Sequence, residues 1–274
     1  MFQRIVAQID RELTKTLEHG LLHASLSQLE NKGNPIRYNS FALGLRELTR
    51  HILARLAPNE AILKCQWYKK ETQENNGISR RQRMLYAIKG GLSDDFVRQE
   101  LGIDLGSGSN KLREAIDRLS KYTHIEEETF HVSANDGDSM VLSTLEALRS
   151  FLETVHDFRH DITSAYEERV SESVFEALIS DVIPQIDTLA THYWVEDVGV
   201  DDITVEAIDE AAIYLNISGQ VEVKHQYGSD GDWDRGNGVQ FSRLYPIQAN
   251  INISVKDPLH VVIRQEDVEV DATY

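Results

Sequence analysis

The chain has 274 residues, 41% hydrophobic and 27% charged, with a formal net charge of −17, which fits one large core or two ordinary ones and argues against disorder. No apolar run reaches the ~18 residues of a membrane helix, and the amphipathic start lacks a signal-peptide core, so a cytoplasmic protein without a membrane partner is expected. The single cysteine, Cys65, excludes an internal disulfide framework and a multi-cysteine zinc site.

The charge is uneven. Residues 1–160 carry 22 Lys and Arg against 22 Asp and Glu, which leaves 6 against 23 of the totals of 28 and 45 for residues 161–274. A strongly acidic half repels phosphate backbones, so RNA or single-stranded nucleic acid is expected on the N-terminal half, and the acidic half suits a basic protein.

In chain order, Ile5, Ile9, Leu13, Leu17, Leu21 and Leu22 recur at three- and four-residue steps and predict one long helix over residues 2–30. His19 and His23 sit one turn apart on it, a spacing that can clamp a metal, but no third ligand stands nearby in the sequence. NKGNP breaks the helix. A second helix over residues 41–56 buries Leu45, Leu48, Ile52 and Leu56 and offers Arg46 and His51 to a polar cleft.

Residues 62–92 combine Lys64, Lys69, Lys70, Arg80, Arg81 and Arg83 with Trp67, Tyr68 and Tyr86. Basic groups between aromatic faces are what a single strand needs for phosphate neutralisation and base stacking; a solvated helix surface has the same composition. Lys69, Lys70, Arg80, Arg81 and Arg83 are therefore the candidate nucleic-acid ligands. Ser79 is a candidate cap for the helix that follows, and Ser93 for the next. GSGSNK lacks the order of a phosphate-binding loop and reads as a connector.

KLREAIDRLSKYTH, residues 111–124, then forms an amphipathic helix with Arg118 six positions before His124 and three glutamates just beyond. An arginine and a histidine at a helix end can polarise a phosphodiester and move a proton. The spacing itself is uninformative, because about two arginine–histidine pairs at such gaps arise by chance from this composition. Arg118 and His124, with Arg46 and His51, are the candidate catalytic residues on the strength of their setting. A long helix over 139–160 carries Arg149, His156 and His160, and another over 163–192 is kinked by Pro184.

From Trp194 the pattern changes to six or seven short β-prone runs, with a hairpin turn at Ser218 and Gly219. Asp230, Asp232 and Asp234 alternate as at the start of a calcium loop, but Phe241 stands where the bidentate glutamate belongs, so no metal is assigned there. The expected fold class is α+β: an all-α helical bundle over residues 1–160, a connecting helix over 161–192, and an acidic antiparallel β-sandwich-like domain over 193–274.

Two blocks resemble a known family. WYKKE, ISRRQRMLYAIKGGLSDDFVRQELGIDL and LREAIDRLSKYTHIEEETF, together with QVEVKHQYGSDGDWDRGNG and YPI, resemble bacterial proteins described as predicted PIWI-associating nucleases. LSKYTH also resembles the segment that carries the histidine in HEPN ribonucleases, although Leu119 stands where that motif usually has a polar residue. These resemblances imply a metal-independent endoribonuclease without a cofactor, in a bacterial antiphage or conflict system, acting as a homo-oligomer or with a co-encoded partner. The alternative is a non-catalytic adaptor or sensor that assembles with a larger effector.

Overall fold

A computed structural model describes residues 2–73, 75–103, 105–229, 231, 235–236 and 238–273. They form two compact units, residues 1–158 and 159–274. Helices dominate the first, and a four-stranded antiparallel sheet makes up most of the second.

The first unit contains α1 (Gln3–Glu12), α2 (Thr16–Glu30), α3 (Arg37–Leu56), α4 (Asn59–Lys64), α5 (Arg80–Lys89), α6 (Asp94–Gln99), α7 (Gly106–Tyr122), α8 (Glu127–Phe130) and the start of α9 (Ala134–Ser180). Its hub is α3, where Phe41, Leu45, Leu48 and Ile52 follow the helical period and are wholly buried. A Cβ at Gly44 would lie 2.1 Å from Ser25 Oγ, so glycine lets α2 approach α3 closely. Gly137 does the same for the Tyr38 ring, whose hydroxyl donates to Asp138 at 2.8 Å.

The helix expected over residues 2–30 is broken, with Leu13 extended between α1 and α2. Glu18 explains the break: its buried carboxylate accepts from the Thr14 amide and from Arg55 of α3 at 2.8 and 3.1 Å. Burial alone would push that carboxyl up, but Arg55 and the backbone amides outweigh it and hold it below the usual range. Asp10 joins the two helices again by accepting from His19 Nδ1 at 2.8 Å and lying 3.2 Å from His23 Nε2.

Ser79 caps α5 in a reciprocal box with Gln82, and Ser93 accepts from the Phe96 amide at the start of α6. GSGSNK is not a connector but the first turns of α7. Likewise the helix expected over 139–160 and most of the one expected over 163–192 are one, α9, which starts where Ser133 accepts from the Asp136 amide and ends at Ser180. Pro184 kinks nothing; it sits at the first position of the short α10 (Pro184–Asp187), where its missing N–H costs no helical bond.

In the second unit β1 (His192–Ile208), β2 (Ala212–Tyr227), β3 (Val239–Ser254) and β4 (Val268–Val270) lie in that order. The short runs merge into three long strands, and the described residues form one sheet rather than two. Its inner face carries Ile213, Leu215, Ile217, Val221 and Val223 on β2 and Tyr245, Ile247, Ile251 and Ile253 on β3. The buried stripe Ile162, Tyr166, Val170, Val174 and Leu178 of α9 belongs to the same unit, where the Tyr166 hydroxyl donates to Pro258 O and Ser173 to Val261 O in the segment after β3.

Ser218 and Gly219 do not turn the chain. They lie inside β2, and a Cβ on Gly219 would sit 2.2 Å from Gly199 O of β1, beside a register shift between Val200 and Asp202. Glycine here marks a close strand approach at a bulge. The hairpin turn is at Asp209, whose carboxylate accepts from the amides of Ala211 and Ala212 at 2.7 and 2.9 Å.

Candidate functional site: an arginine cleft

A cleft of about 640 Å³ opens between α3, α5 and α7, lined by Arg46, Arg50, Arg80 and Arg83 with Thr49, Asn59, Thr72, Ser79 and the apolar Leu53, Ala54, Ile78 and Ile116. Helical spacing explains the convergence. Arg46 and Arg50 are four apart on α3, and Arg80 and Arg83 three apart on α5, so each pair shares a face. Arg81 falls off that face and lines a smaller cavity of about 180 Å³ with Asp94 and Arg98, 3.6 Å from Glu71.

Neighbouring groups fix each guanidinium. Arg46 donates to Thr123 Oγ1 at 3.2 Å, which holds the C-terminal end of α7 against α3; Asn39 reinforces this by donating to Tyr122 O at 2.8 Å. Arg80 pairs with Asp117 of α7 at 2.6 Å. Arg83 donates to Ala57 O and to Asn59 Oδ1 at 3.2 and 2.5 Å, and burial pulls its pKa down from the ordinary arginine value. Arg50 bonds Glu47 at 2.8 Å, and its Nη2 lies 3.0 Å from His51 Nε2. A guanidinium only donates, so the ring nitrogen accepts there. No carboxylate lines the cleft among the described residues, although Asp117 and Glu47 at its margin pair with Arg80 and Arg50.

Of the residues picked from the sequence, the structure brings Arg46, Arg80 and Arg83 together and sets His51 beside Arg50. His124 follows Thr123, the residue that Arg46 holds; its side chain is exposed and its carbonyl accepts from Thr129 Oγ1 at 2.7 Å. Arg118 lines a separate groove of about 350 Å³ with Lys111, Glu114, Glu146 and Arg149. Neither His124 nor His51 lines either hollow; His51 reaches the cleft only through its contact with Arg50. Lys69 and Lys70 are exposed and line no part of the cleft. Arg50, Thr49 and Asn59 also line the cleft; the four-residue step from Arg46 is the sequence signal for Arg50, and no local pattern marks the other two.

The aromatics near the basic patch are held in the framework. Trp67 donates to Gly90 O at 3.0 Å and receives the Lys89 ammonium 4.7 Å above its ring, Tyr86 is buried, and Tyr68 donates to Asn76 O. Lys89 is wholly buried, bonded to Leu92 O and to Asp94 at 2.8 Å; burial pulls its pKa down against the pull of Asp94. It fastens α5 to α6. Among the described residues no group of three or more His, Cys, Asp or Glu is arranged to hold a metal, and Asp230, Asp232 and Asp234 lie outside them. No described helix is long and apolar enough to cross a membrane.

Fold and site thus define an α+β protein whose helical unit carries an arginine-lined cleft and whose second unit is an acidic antiparallel sheet. Two family models, both described as predicted pPIWI-associating nuclease, match residues 10–148 and 155–273, and the chain belongs to that family. The family description supports a nuclease role with nucleic acid as the bound partner. No curated protein matches the chain, and no solved structure does.

Proposed function

We propose that the protein is a metal-independent endoribonuclease of a bacterial conflict system and that its substrate backbone lies in the arginine cleft. The observation that carries this reading is the convergence of Arg46, Arg50, Arg80 and Arg83 on one hollow with no carboxylate in its described lining. Guanidinium groups match phosphate oxygens in pairs and stay charged at every working pH. Arg46 and Arg80 stabilise the charge that develops on the phosphate, and Arg83, anchored on Ala57 and Asn59, shapes the wall.

In this reading His51 moves the proton. Arg50 pins its Nε2 in the free protein; when that guanidinium turns to a phosphate, the lone pair is exposed to the ribose 2′-hydroxyl. His51 takes the hydroxyl proton, the 2′-oxygen bonds to phosphorus, the bond from phosphorus to the 5′-oxygen breaks, and the departing 5′-oxygen takes a proton from solvent water, whose hydroxide is neutralised by the proton that His51 then releases. The products are a 2′,3′-cyclic phosphate and a 5′-hydroxyl end. The test is cleavage of a labelled RNA with chelator present. His51→Ala is expected to lower the rate about 100-fold or more, with the wild type unaffected by chelator. Full activity of that variant together with loss in His124→Ala moves the proton transfer to the end of α7, and loss of wild-type cleavage with chelator overturns metal independence.

A further inference from the structure

The two outer edges of the sheet differ in kind. On β1 the register shifts three times, and Glu196, Asp197, Asp201, Asp202 and Glu206 stand exposed along it. Bulges and charges of this kind keep another strand from adding to an edge. β3 pairs with β2 in one unbroken register from Val239 to Ser254, and β4 covers only Ile247, Gln248 and Ala249 on its other side. Residues 239–245, VQFSRLY, have no acidic side chain, and Val239, Phe241 and Leu244 are exposed apolar groups.

The direction of the free backbone groups follows from that register. Pro246 O accepts from Asp271 N, on the side away from β2. In an antiparallel strand a residue's N–H and C=O point the same way and alternate along the chain, so Gln240, Ser242 and Leu244 also point outward. No strand pairs with them among the described residues. Pro246 sits where the pairing with β4 runs out, so its missing N–H removes a bond only from the end of that ladder.

We infer that the outer edge of β3 at residues 240–244 is a docking site for an extended segment of a partner protein, added as a fifth strand, with Lys or Arg flanking a β-branched core. Charge selects the occupant. Residues 161–274 carry 23 acidic groups against 6 basic ones, so a second copy of this unit is repelled and a cationic segment is attracted. The edge supplies main-chain hydrogen bonds, and Phe241 and Leu244 supply apolar contact on opposite faces.

The experiment uses the full chain and a synthetic peptide of alternating valine and threonine flanked by lysines, read by fluorescence anisotropy and by amide hydrogen exchange. Saturable binding that protects the Ser242 and Leu244 amides, weakens with salt and falls about tenfold when the flanks become glutamate supports the site. Ser242→Pro removes an outward N–H without touching the bonds to β2 and is expected to weaken binding at least about tenfold. Leu244→Lys keeps every backbone donor and should weaken the lysine-flanked peptide selectively, so the site stays testable if the proline variant fails to fold. Absence of binding, or binding indifferent to both variants, overturns the inference. So does a wild-type dimer that Ser242→Pro converts to monomer, which would give the edge to a second copy.

Discussion

The arginine cleft and the acidic sheet put opposite charge on two scaffolds by different means. In the helical unit a near-neutral composition becomes locally cationic because helical spacing gathers Arg46 with Arg50 and Arg80 with Arg83, while acids such as Asp117 and Glu47 are taken up at the margin. In the sheet unit the composition itself is acidic, and strand alternation spreads the carboxylates over the outer surface and along β1. A local site can therefore oppose the charge of its surroundings on helices, where side chains three and four apart converge, more readily than on an extended strand.

The largest blow to this contrast is at the hub. Phe41→Ala should cost about 3–5 kcal/mol through the cavity it leaves, and a thermal melt should show the helical unit unfolding early while the sheet signal in far-UV circular dichroism persists. Next is the double reversal Arg46→Glu with Arg80→Glu, expected to weaken RNA binding about 100-fold at moderate salt and to flatten the slope of affinity against salt by about two. The same number of reversals on β1, at Asp197 and Asp201, should leave that slope nearly unchanged. Filter binding at several salt concentrations checks both.

Acid should then separate the two units. Burial, aided by the charge of Arg243, holds His225 below its ordinary value of 6.5, with Nε2 bonded to the Tyr245 hydroxyl at 2.8 Å and Nδ1 buried without a partner. Below pH 6.5 the unfolded chain takes up a proton that the folded sheet resists, so the sheet loses stability as pH falls through that window. Glu18 has the opposite charge type: its stability contribution is full above about pH 4.5 and is lost only as pH falls through its lowered folded value. Melts at pH 7.5 and 5.5 should destabilise the sheet first, and a transition of the helical unit at the higher pH would contradict this order. The smallest effect is expected from Asp117→Asn, which releases the half-exposed Arg80 and should raise RNA affinity about twofold.

Much of the fold was legible in the sequence because it rests on period: the stripe of α3, the caps at Ser79 and Ser93, and the change to strands after Trp194 all follow from local spacing. What escaped depends on distant partners. The break at Leu13 needs Arg55, and the strand approach at Gly219 needs Gly199, contacts that no local pattern announces. For the site, Arg46, Arg80 and Arg83 were visible as basic groups, but their convergence depends on how α3, α5 and α7 pack. Arg118 and His124 stand near one helix end in the sequence, yet six residues of helix and turn leave the arginine on the α9 side.

The buried pairing of Glu18 with Arg55 also bears on how this sequence is free to vary. Loss of Arg55 strands the buried Glu18 carboxylate, at a cost of about 3–5 kcal/mol, whereas loss of Glu18 leaves a partly exposed guanidinium that water can reach and costs less, and replacing both with apolar residues of similar volume is close to neutral. Positions 18 and 55, thirty-seven residues apart, should therefore change together across homologous chains, with intermediates that have lost Arg55 alone purged.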